Sequence, residues 1–131
     1  MLRCFVSAKI HGLRVTDKSL DYNGSASIDR RLMEEVGLLP HEQVQVVNMN
    51  NGQRWTTYAI PSDEPGYFSL NGAAARLGEL GDVCIVMAYA FAEKDPEAKV
   101  VFCDAQNRVR ERTRYLADNL PENLADNLVE A

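Results

Sequence analysis

The first residues of chemical interest are Gly24 and Ser25, which form the only Gly-Ser pair in the chain. A glycine carbonyl is an open electrophile, because no Cβ shields it and its φ can be positive. The adjacent serine hydroxyl is a weak nucleophile that needs backbone strain or an oxyanion donor to attack that carbonyl. The pair ends a turn signal that begins Asp21-Tyr22-Asn23. Taken alone, these residues therefore indicate a turn.

A second group of polar side chains has the chemistry to bind an anion. The Arg54 guanidinium matches a carboxylate with two parallel hydrogen bonds, and the Tyr58 phenol carries its proton at neutral pH. Lys9 and His11 share one face of a predicted strand and could add charge or hydrogen bonds. Plainer interpretations stand beside these: a surface ion pair for Arg54 and a solvated side chain for Lys9.

The segment 71–75, N-G-A-A-A, is a third candidate. Its small side chains would let a ligand approach main-chain N–H groups at the start of a short helix, where an anion is favoured. Close packing of the helix would explain the same residues without any ligand.

Other motifs with a defined chemistry are missing from the sequence. It contains no G-x-S-x-G, no G-x-x-x-x-G-K-[ST] and no G-x-G-x-x-G. Three cysteines, none in a C-x-x-C pair, and two histidines provide no well-spaced ligand set, so no metal site is predicted. A Cys–His nucleophile stays open, because sequence does not show which residues meet in space.

These residues must be positioned by short strands, two short helices and tight turns. Alternating and β-branched residues predict most of the strands, Asn50-Asn51-Gly52 predicts a hairpin turn, and 61–66 reads as a loop. Asp29 and Gly37 are the expected N-cap and stop of the first helix, and Asn71 is the expected cap of the second. The strand at 82–91 is apolar enough to be buried on both faces. Strands are predicted at 3–15, 44–48, 54–60, 67–70 and 82–91, and helices at 28–36 and 71–78.

Length and composition limit the class of protein. The 131 residues indicate a single compact domain, with 46% hydrophobic and 25% charged residues. A net charge of −5 argues against a nucleic-acid partner. No apolar run is long enough to span a membrane, no signal peptide is recognisable, and unpaired cysteines suit a reducing compartment. A cytoplasmic protein is expected.

The last quarter of the chain has a different character. A barrel domain is predicted for residues 1–92, followed by a charged extension over 93–131 that is partly ordered or mobile. Leu-Ala-Asp-Asn-Leu occurs twice, at 116–120 and 124–128, and indicates either a lightly docked tail or a partner-binding helix. Arginines at every second position from 108 to 114 could line an edge strand, with a solvated face favoured over an anion site.

Four separated motifs resemble the aspartate 1-decarboxylase family. They occur in the same order and at closely similar spacing between about residues 1 and 91. Each motif is weak alone, and their combination is specific. They are Lys9-x-His11; Tyr22-Asn23-Gly24-Ser25; Asn51-Gly52-x-Arg54-x-Thr56-Thr57-Tyr58-Ala59-Ile60; and Asn71-Gly72-Ala73-Ala74-Ala75.

The resemblance implies a mostly β fold, a six-stranded double-psi β-barrel with short helices, assembled as a homotetramer with sites at subunit interfaces. It also implies self-cleavage between Gly24 and Ser25, which converts Ser25 into a covalent pyruvoyl group. That group would form a Schiff base with L-aspartate and accept electrons as CO₂ leaves, giving β-alanine for pantothenate and coenzyme A synthesis.

The resemblance also assigns roles within the site. Thr57 would aim its hydroxyl at the oxyanion of self-cleavage and contact substrate, and Tyr58 would return a proton after CO₂ departs. Gly72, Ala73 and Ala74 would bind substrate together with Arg54, Lys9 and His11. Tyr22 and Asn71 would support the site.

Strict alternation puts Thr57 on the opposite strand face from Arg54 and Tyr58. Either a bulge reorients Thr57 or the residues serve sites in different subunits. The alternatives to an active decarboxylase are a small β-barrel binding module that is never cleaved and a relative that has lost catalysis. The need for a maturation factor and the choice between aspartate and glutamate are not readable from the sequence.

Overall fold

A computed structural model of the chain describes residues 1–116. Strand-favouring residues in alternating patterns form most of it, and two short helices join the strands. The helices are α1 (Arg30–Val36) and a 3₁₀ helix (Gly72–Arg76). The strands are β1 (Arg3–Arg14), β2 (Asp17–Ser19), β3 (Ser25–Asp29), β4 (Gln43–Asn48), β5 (Arg54–Ser62), β6 (Phe68–Asn71), β7 (Val83–Ala92), β8 (Lys99–Cys103) and β9 (Val109–Arg114).

The strands form one continuous sheet in the order β2-β6-β3-β5-β4-β7-β1-β8-β9. Three pairs are parallel, namely β1 with β8, β2 with β6 and β3 with β5, and the other pairs are antiparallel. The mostly β class is therefore confirmed, and a nine-strand sheet with these crossovers is consistent with a small β-barrel.

Alternate residues of the long strands point into one apolar core. Ile10 and Leu13 of β1, Val46 of β4 and Val86 of β7 are almost completely buried there, and Trp55 packs against them. The opposite face of the long strands, here called the outer face, carries the predicted site residues Lys9 and His11 of β1 and Arg54 and Tyr58 of β5.

Helix α1 has the predicted N-cap residue and ends as predicted. The Asp29 carboxylate accepts a hydrogen bond from Arg31 N–H at 2.9 Å, and Gly37 closes the helix in the left-handed conformation with φ of 75°. The residues before it, predicted as helical from Ile28, instead complete β3. Ile28 and Asp29 pair with Pro61 and Ser62, so β5 also extends into the predicted loop at 61–66.

Two predictions about the later strands differ from the structure. The strand at β7 is buried on one face only: Cys84, Val86 and Ala88 are covered, whereas Tyr89 and Phe91 are 42% and 76% exposed. The sheet also continues past the predicted domain boundary at residue 92. The apolar run 100–102 lets β8 pair with β1, and β9 then forms the arginine-bearing edge strand that the sequence indicates.

The repeated Leu-Ala-Asp-Asn-Leu segments extend beyond the described residues, and the predictions made for them stay predictions. Within residues 1–116, no helix is long and apolar enough to cross a membrane.

Candidate functional site

The Ser25 side chain is buried and hydrogen-bonded on two sides. Its hydroxyl donates to the main-chain oxygen of Asn23 at 3.2 Å and accepts from Nδ2 of Asn71 at 2.9 Å. Both residues are almost inaccessible, with 1% of Ser25 and 3% of Asn71 exposed. The antiparallel pairing of β3 with β6 creates this contact, because it sets Ser25 opposite Asn71. Asn23 and Asn71, which are far from each other in the sequence, thus fix the rotamer of the Ser25 hydroxyl.

Asn71 does not cap the 3₁₀ helix as predicted. It occupies the N-cap position, but its side chain makes no capping hydrogen bond. The amide instead donates to Ser27 Oγ at 2.9 Å as well as to Ser25, and its oxygen accepts from Ser69 Oγ at 2.8 Å. Ser27 and Ser69 were not predicted as site residues. The signal for them is weak: a polar residue at every second position in two apolar strands.

Gly72 lies directly against the bond that the sequence singles out. A Cβ on Gly72 would come within 2.8 Å of Gly24 Cα and 3.0 Å of Tyr22 O, and its φ is +71°. Only glycine allows this approach without strain. Gly24 itself does not have a positive φ, contrary to the expected use of that freedom, and no atom lies within 4 Å of its missing Cβ. The position of the missing Cβ of Gly24 is therefore open, and the conformational freedom of glycine is not used for a positive φ there.

Residues 54–58 alternate along β5 without a break. The β4–β5 register runs from Gln43 opposite Tyr58 to Val47 opposite Arg54 with no shift, which rules out a bulge. Thr57 therefore shares a face with the core residue Ala59, and Tyr58 lies on the other face. The β3–β5 register pairs residue 26 with residue 59, and extending it by one residue places Tyr58 beside Ser25.

Arg54 is exposed and offers an uncompensated positive charge. Its Nη1 donates to the neutral Oε1 of Gln45 at 2.8 Å, an oxygen that also accepts from Tyr89 OH at 2.9 Å. Among residues 1–116, Arg54 forms no ion pair, so the plainer interpretation of it as half of a surface ion pair does not apply. The guanidinium is held by a neutral partner that leaves it free to meet an anion.

Lys9 and His11 share the outer face of β1, as predicted, but lie away from the other site residues. In the sheet, β4 and β7 separate β1 from β5, which places Arg54 and His11 roughly 14 Å apart at about 4.8 Å per strand. Lys9 is only 8% exposed, and its Nζ donates to Tyr115 OH at 3.0 Å. It is not the solvated side chain of the plainer interpretation.

The His11 ring packs against Phe102, with 5.1 Å between the ring centroids. Burial lowers the pKa of His11 below its ordinary value, and the nearby charges of Lys9 and Arg110 lower it further. At neutral pH this imidazole is uncharged, so it supplies hydrogen bonds and no positive charge.

The remaining predicted residues surround Gly24 in different ways. Ala73 is exposed and Ala74 is half-buried, both within the 3₁₀ helix beside Gly24, and Tyr22 is 54% exposed. The buried thiols offer no alternative nucleophile, since burial raises the pKa of Cys84 and Cys103 to about 12. Within the described part of the chain, no cluster of three or more His, Cys, Asp or Glu residues could hold a metal ion.

A family match covers most of the chain. The family model described as aspartate decarboxylase matches residues 1–110. The chain belongs to the aspartate decarboxylase family. The match includes every predicted site residue and extends through β8 into β9, beyond the predicted boundary at residue 92.

Curated members of the aspartate decarboxylase family cover nearly the whole chain. A protein named aspartate 1-decarboxylase from Acaryochloris marina is 47% identical over 127 residues, 93% of this chain and 97% of the relative. One of the same name from Campylobacter jejuni is 49% identical over 84% of this chain and 90% of the relative. Aspartate 1-decarboxylase 2 of Gloeobacter violaceus is 51% identical over 83% and 91%. The family predicted from four short motifs is thus confirmed.

Proposed function

We propose that this chain is an active aspartate 1-decarboxylase, a carboxy-lyase that converts L-aspartate to β-alanine and CO₂ for pantothenate and coenzyme A synthesis in the cytoplasm. Family membership supports the reaction. One structural observation carries the proposal further: Ser25 is buried and hydrogen-bonded on both sides, next to a Gly24 backbone that Gly72 approaches within van der Waals distance. A serine in an ordinary surface turn would have neither feature.

Self-cleavage at Gly24-Ser25 is the first chemical step in the proposal. Ser25 Oγ attacks the Gly24 carbonyl carbon, the C–N bond breaks, and the hydroxyl proton ends on the freed nitrogen, giving an ester. The Ser25 Cα proton then leaves to a base, the Cβ–Oγ bond breaks, and residues 1–24 depart as a carboxylate. Water hydrolyses the remaining dehydroalanine with loss of ammonia, which leaves a ketone at the start of the longer chain.

The residues around Ser25 fit that pyruvoyl group. Asn71 donates to Ser25 Oγ, the atom that would depart with residues 1–24, so its amide lies beside the carbons that would become the group. Gly72 leaves room that a Cβ would fill. The group supplies an electron sink for the charge that remains when CO₂ leaves. Thr57 is proposed for the oxyanion of self-cleavage and for substrate contact. Tyr58 is proposed to return the proton, which the β3–β5 register supports because its extension by one residue brings Tyr58 next to Ser25.

Substrate binding is proposed to combine groups from more than one subunit. Arg54 would hold the carboxylate that stays, because its fork matches carboxylate geometry and it forms no ion pair within residues 1–116. Lys9 and His11 lie too far across the sheet to join Arg54 within one chain, and the unbroken β5 places Thr57 on the opposite face. We propose that a homotetramer brings these groups together. In that assembly Gly72, Ala73 and Ala74 would present main-chain N–H groups to the substrate.

Intact-mass measurement of the purified chain tests the proposal directly. We expect two fragments, residues 1–24 and a longer chain that begins with pyruvoyl and is blocked to Edman sequencing. The variant Ser25→Ala should stay full length and release no CO₂ from aspartate. A wild-type chain that remains intact after long incubation, with Ser25 unmodified, would instead support a β-barrel that is never cleaved.

A further inference from the structure

Four polar side chains, three of them buried and Ser27 half-buried, form a row between β3 and β6. The strands pair Ser25 with Asn71 and Ser27 with Ser69, so all four lie on the same face of the sheet. Ser69 is completely buried, and Ser25 and Asn71 are almost so. Burying polar groups is unfavourable unless each one is hydrogen-bonded. The row therefore persists because its members bond to one another.

Asn71 is the centre of the row, and its two amide ends have different neighbours. Its oxygen accepts from Ser69 Oγ at 2.8 Å, and its Nδ2 donates to Ser25 and Ser27, each at 2.9 Å. An amide turned by 180° would present its oxygen to Ser25 and its nitrogen to Ser69. A serine hydroxyl can donate or accept, so only the complete set of bonds decides which end faces Ser25.

We propose that Ser69 is a positioning residue for self-cleavage, which holds the Asn71 amide so that its N–H points at Ser25 Oγ. This rests on the proposed function, because it presumes that the Gly24-Ser25 bond breaks. The hydroxyl of Ser69 acts only through Asn71 and does not touch the reacting atoms. Ser27 is the second acceptor for the same Nδ2 and has a smaller part in fixing the amide.

The side-chain N–H of Asn71 would act at two steps of self-cleavage, the attack by Ser25 Oγ and the later elimination. Before attack, it holds Oγ in one rotamer and leaves the hydroxyl proton directed at Asn23 O. During elimination, the Cβ–Oγ electron pair moves onto Oγ as Gly24 leaves as a carboxylate. A donor already aimed at Oγ stabilises the charge that develops there.

A double-mutant cycle on the rate of cleavage tests the proposal. Uncleaved protein is incubated, and the loss of full-length mass is followed for wild type, Ser69→Ala, Asn71→Ala and the double variant. We expect Ser69→Ala to slow cleavage about three- to tenfold in the wild-type background, the effect of one lost hydrogen bond. In the Asn71→Ala background, Ser69→Ala should leave the cleavage rate unchanged, because the amide that Ser69 holds is no longer there. Equal slowing in both backgrounds, or none in either, overturns the proposal.

Controls separate positioning from packing. Tyr67 lies two residues before Ser69 and donates its phenol proton to Asp17 Oδ2 at 2.7 Å, so Tyr67→Phe should leave the cleavage rate unchanged. Ser27→Ala removes one acceptor but keeps the Ser69 contact, and should slow cleavage less than Ser69→Ala. If Ser69→Ala fails to fold, Ser69→Cys keeps the volume with a weaker donor, and cleavage at the full wild-type rate would overturn the proposal. If the wild-type chain never cleaves itself, the proposed function is wrong. If the wild-type chain cleaves and the Ser69 variants cleave at the same rate, only the role of Ser69 is wrong.

Discussion

The surroundings of Ser25 and the group of basic residues are organised in opposite ways. Ser25, Asn71 and Ser69 are buried, mutually bonded and supplied by neighbouring strands of a single chain. Arg54 is exposed, and the strands β4 and β7 separate it from Lys9. One region is complete in the monomer, and the other consists of parts that do not meet.

This difference suggests a division between the two proposed steps. Orienting the Ser25 hydroxyl for bond breaking needs only residues that one chain already brings together, whereas the oxyanion group proposed at Thr57 would come from a neighbouring subunit. In the proposed function, Arg54 and Lys9 also hold aspartate only once an assembly brings them together. Changes near Gly24 should therefore affect cleavage and everything after it, whereas changes on the outer face of β5 should affect turnover alone.

Gly72→Ala should have the largest effect. Its Cβ would come within 2.8 Å of Gly24 Cα, so the backbone to be cleaved must move. We expect cleavage to slow by at least about 100-fold, since small displacements of reacting groups cost that much, and decarboxylation should be lost with it. Intact mass and CO₂ release measure the two outcomes.

Gly52→Ala is the matched control for Gly72→Ala. Gly52 has φ of +76°, close to the +71° of Gly72, but no atom lies within 4 Å of its missing Cβ. Both variants should lose about 1–2 kcal/mol of folding stability from the left-handed backbone alone. Only Gly72→Ala should also stop cleavage. Equal cleavage rates in the two variants would mean that the contact with Gly24 does not matter.

Tyr58→Phe should have the next largest effect, and only on turnover. Tyr58 lies on the outer face beside Ser25 and has no part in the bonds that orient Oγ. We expect near-normal cleavage by intact mass and a kcat for aspartate about 100-fold lower, the lower end for loss of a general acid. If Tyr58→Phe fails to cleave, Tyr58 belongs with the residues that act in self-cleavage around Ser25.

The contrast also explains what sequence could and could not predict. Ser25, Thr57 and Tyr58 are found through short, contiguous motifs, and the cap of α1 follows from Asp29 alone. Asn71 contacts Ser25 across 46 residues, and Lys9 contacts Tyr115 across 106, so neither contact leaves a local signal. Pairing across the sheet, set by the whole topology, makes those contacts.

The C-terminal strands β8 and β9 also depend on pairing that the local sequence does not reveal. Charged residues from Glu93 onward suggest a solvated extension, yet Val100–Phe102 is an apolar run that β1 covers by parallel pairing. A strand of five residues after a charged loop gives too short a pattern to distinguish from a tail. The unpredicted burial of Lys9 follows from the same error, because Tyr115 directly follows β9.

His11 gives the smallest effect and tests whether the region around β1 is already packed in this chain. Its pKa is lowered by burial and by Lys9 and Arg110, so between pH 7.5 and 5.5 the unfolded chain binds a proton that the folded chain does not. The stability of wild type should therefore fall as pH decreases through about 6.5, by less than about 1.4 kcal/mol relative to His11→Asn. Urea unfolding of both chains at the two pH values measures this difference, and His41 cancels because both chains retain it. A pH-independent difference would show that the imidazole titrates normally in the folded chain. The β1 region would then be as open as the surface around Arg54, and the contrast between a packed and an open set of basic residues would be lost.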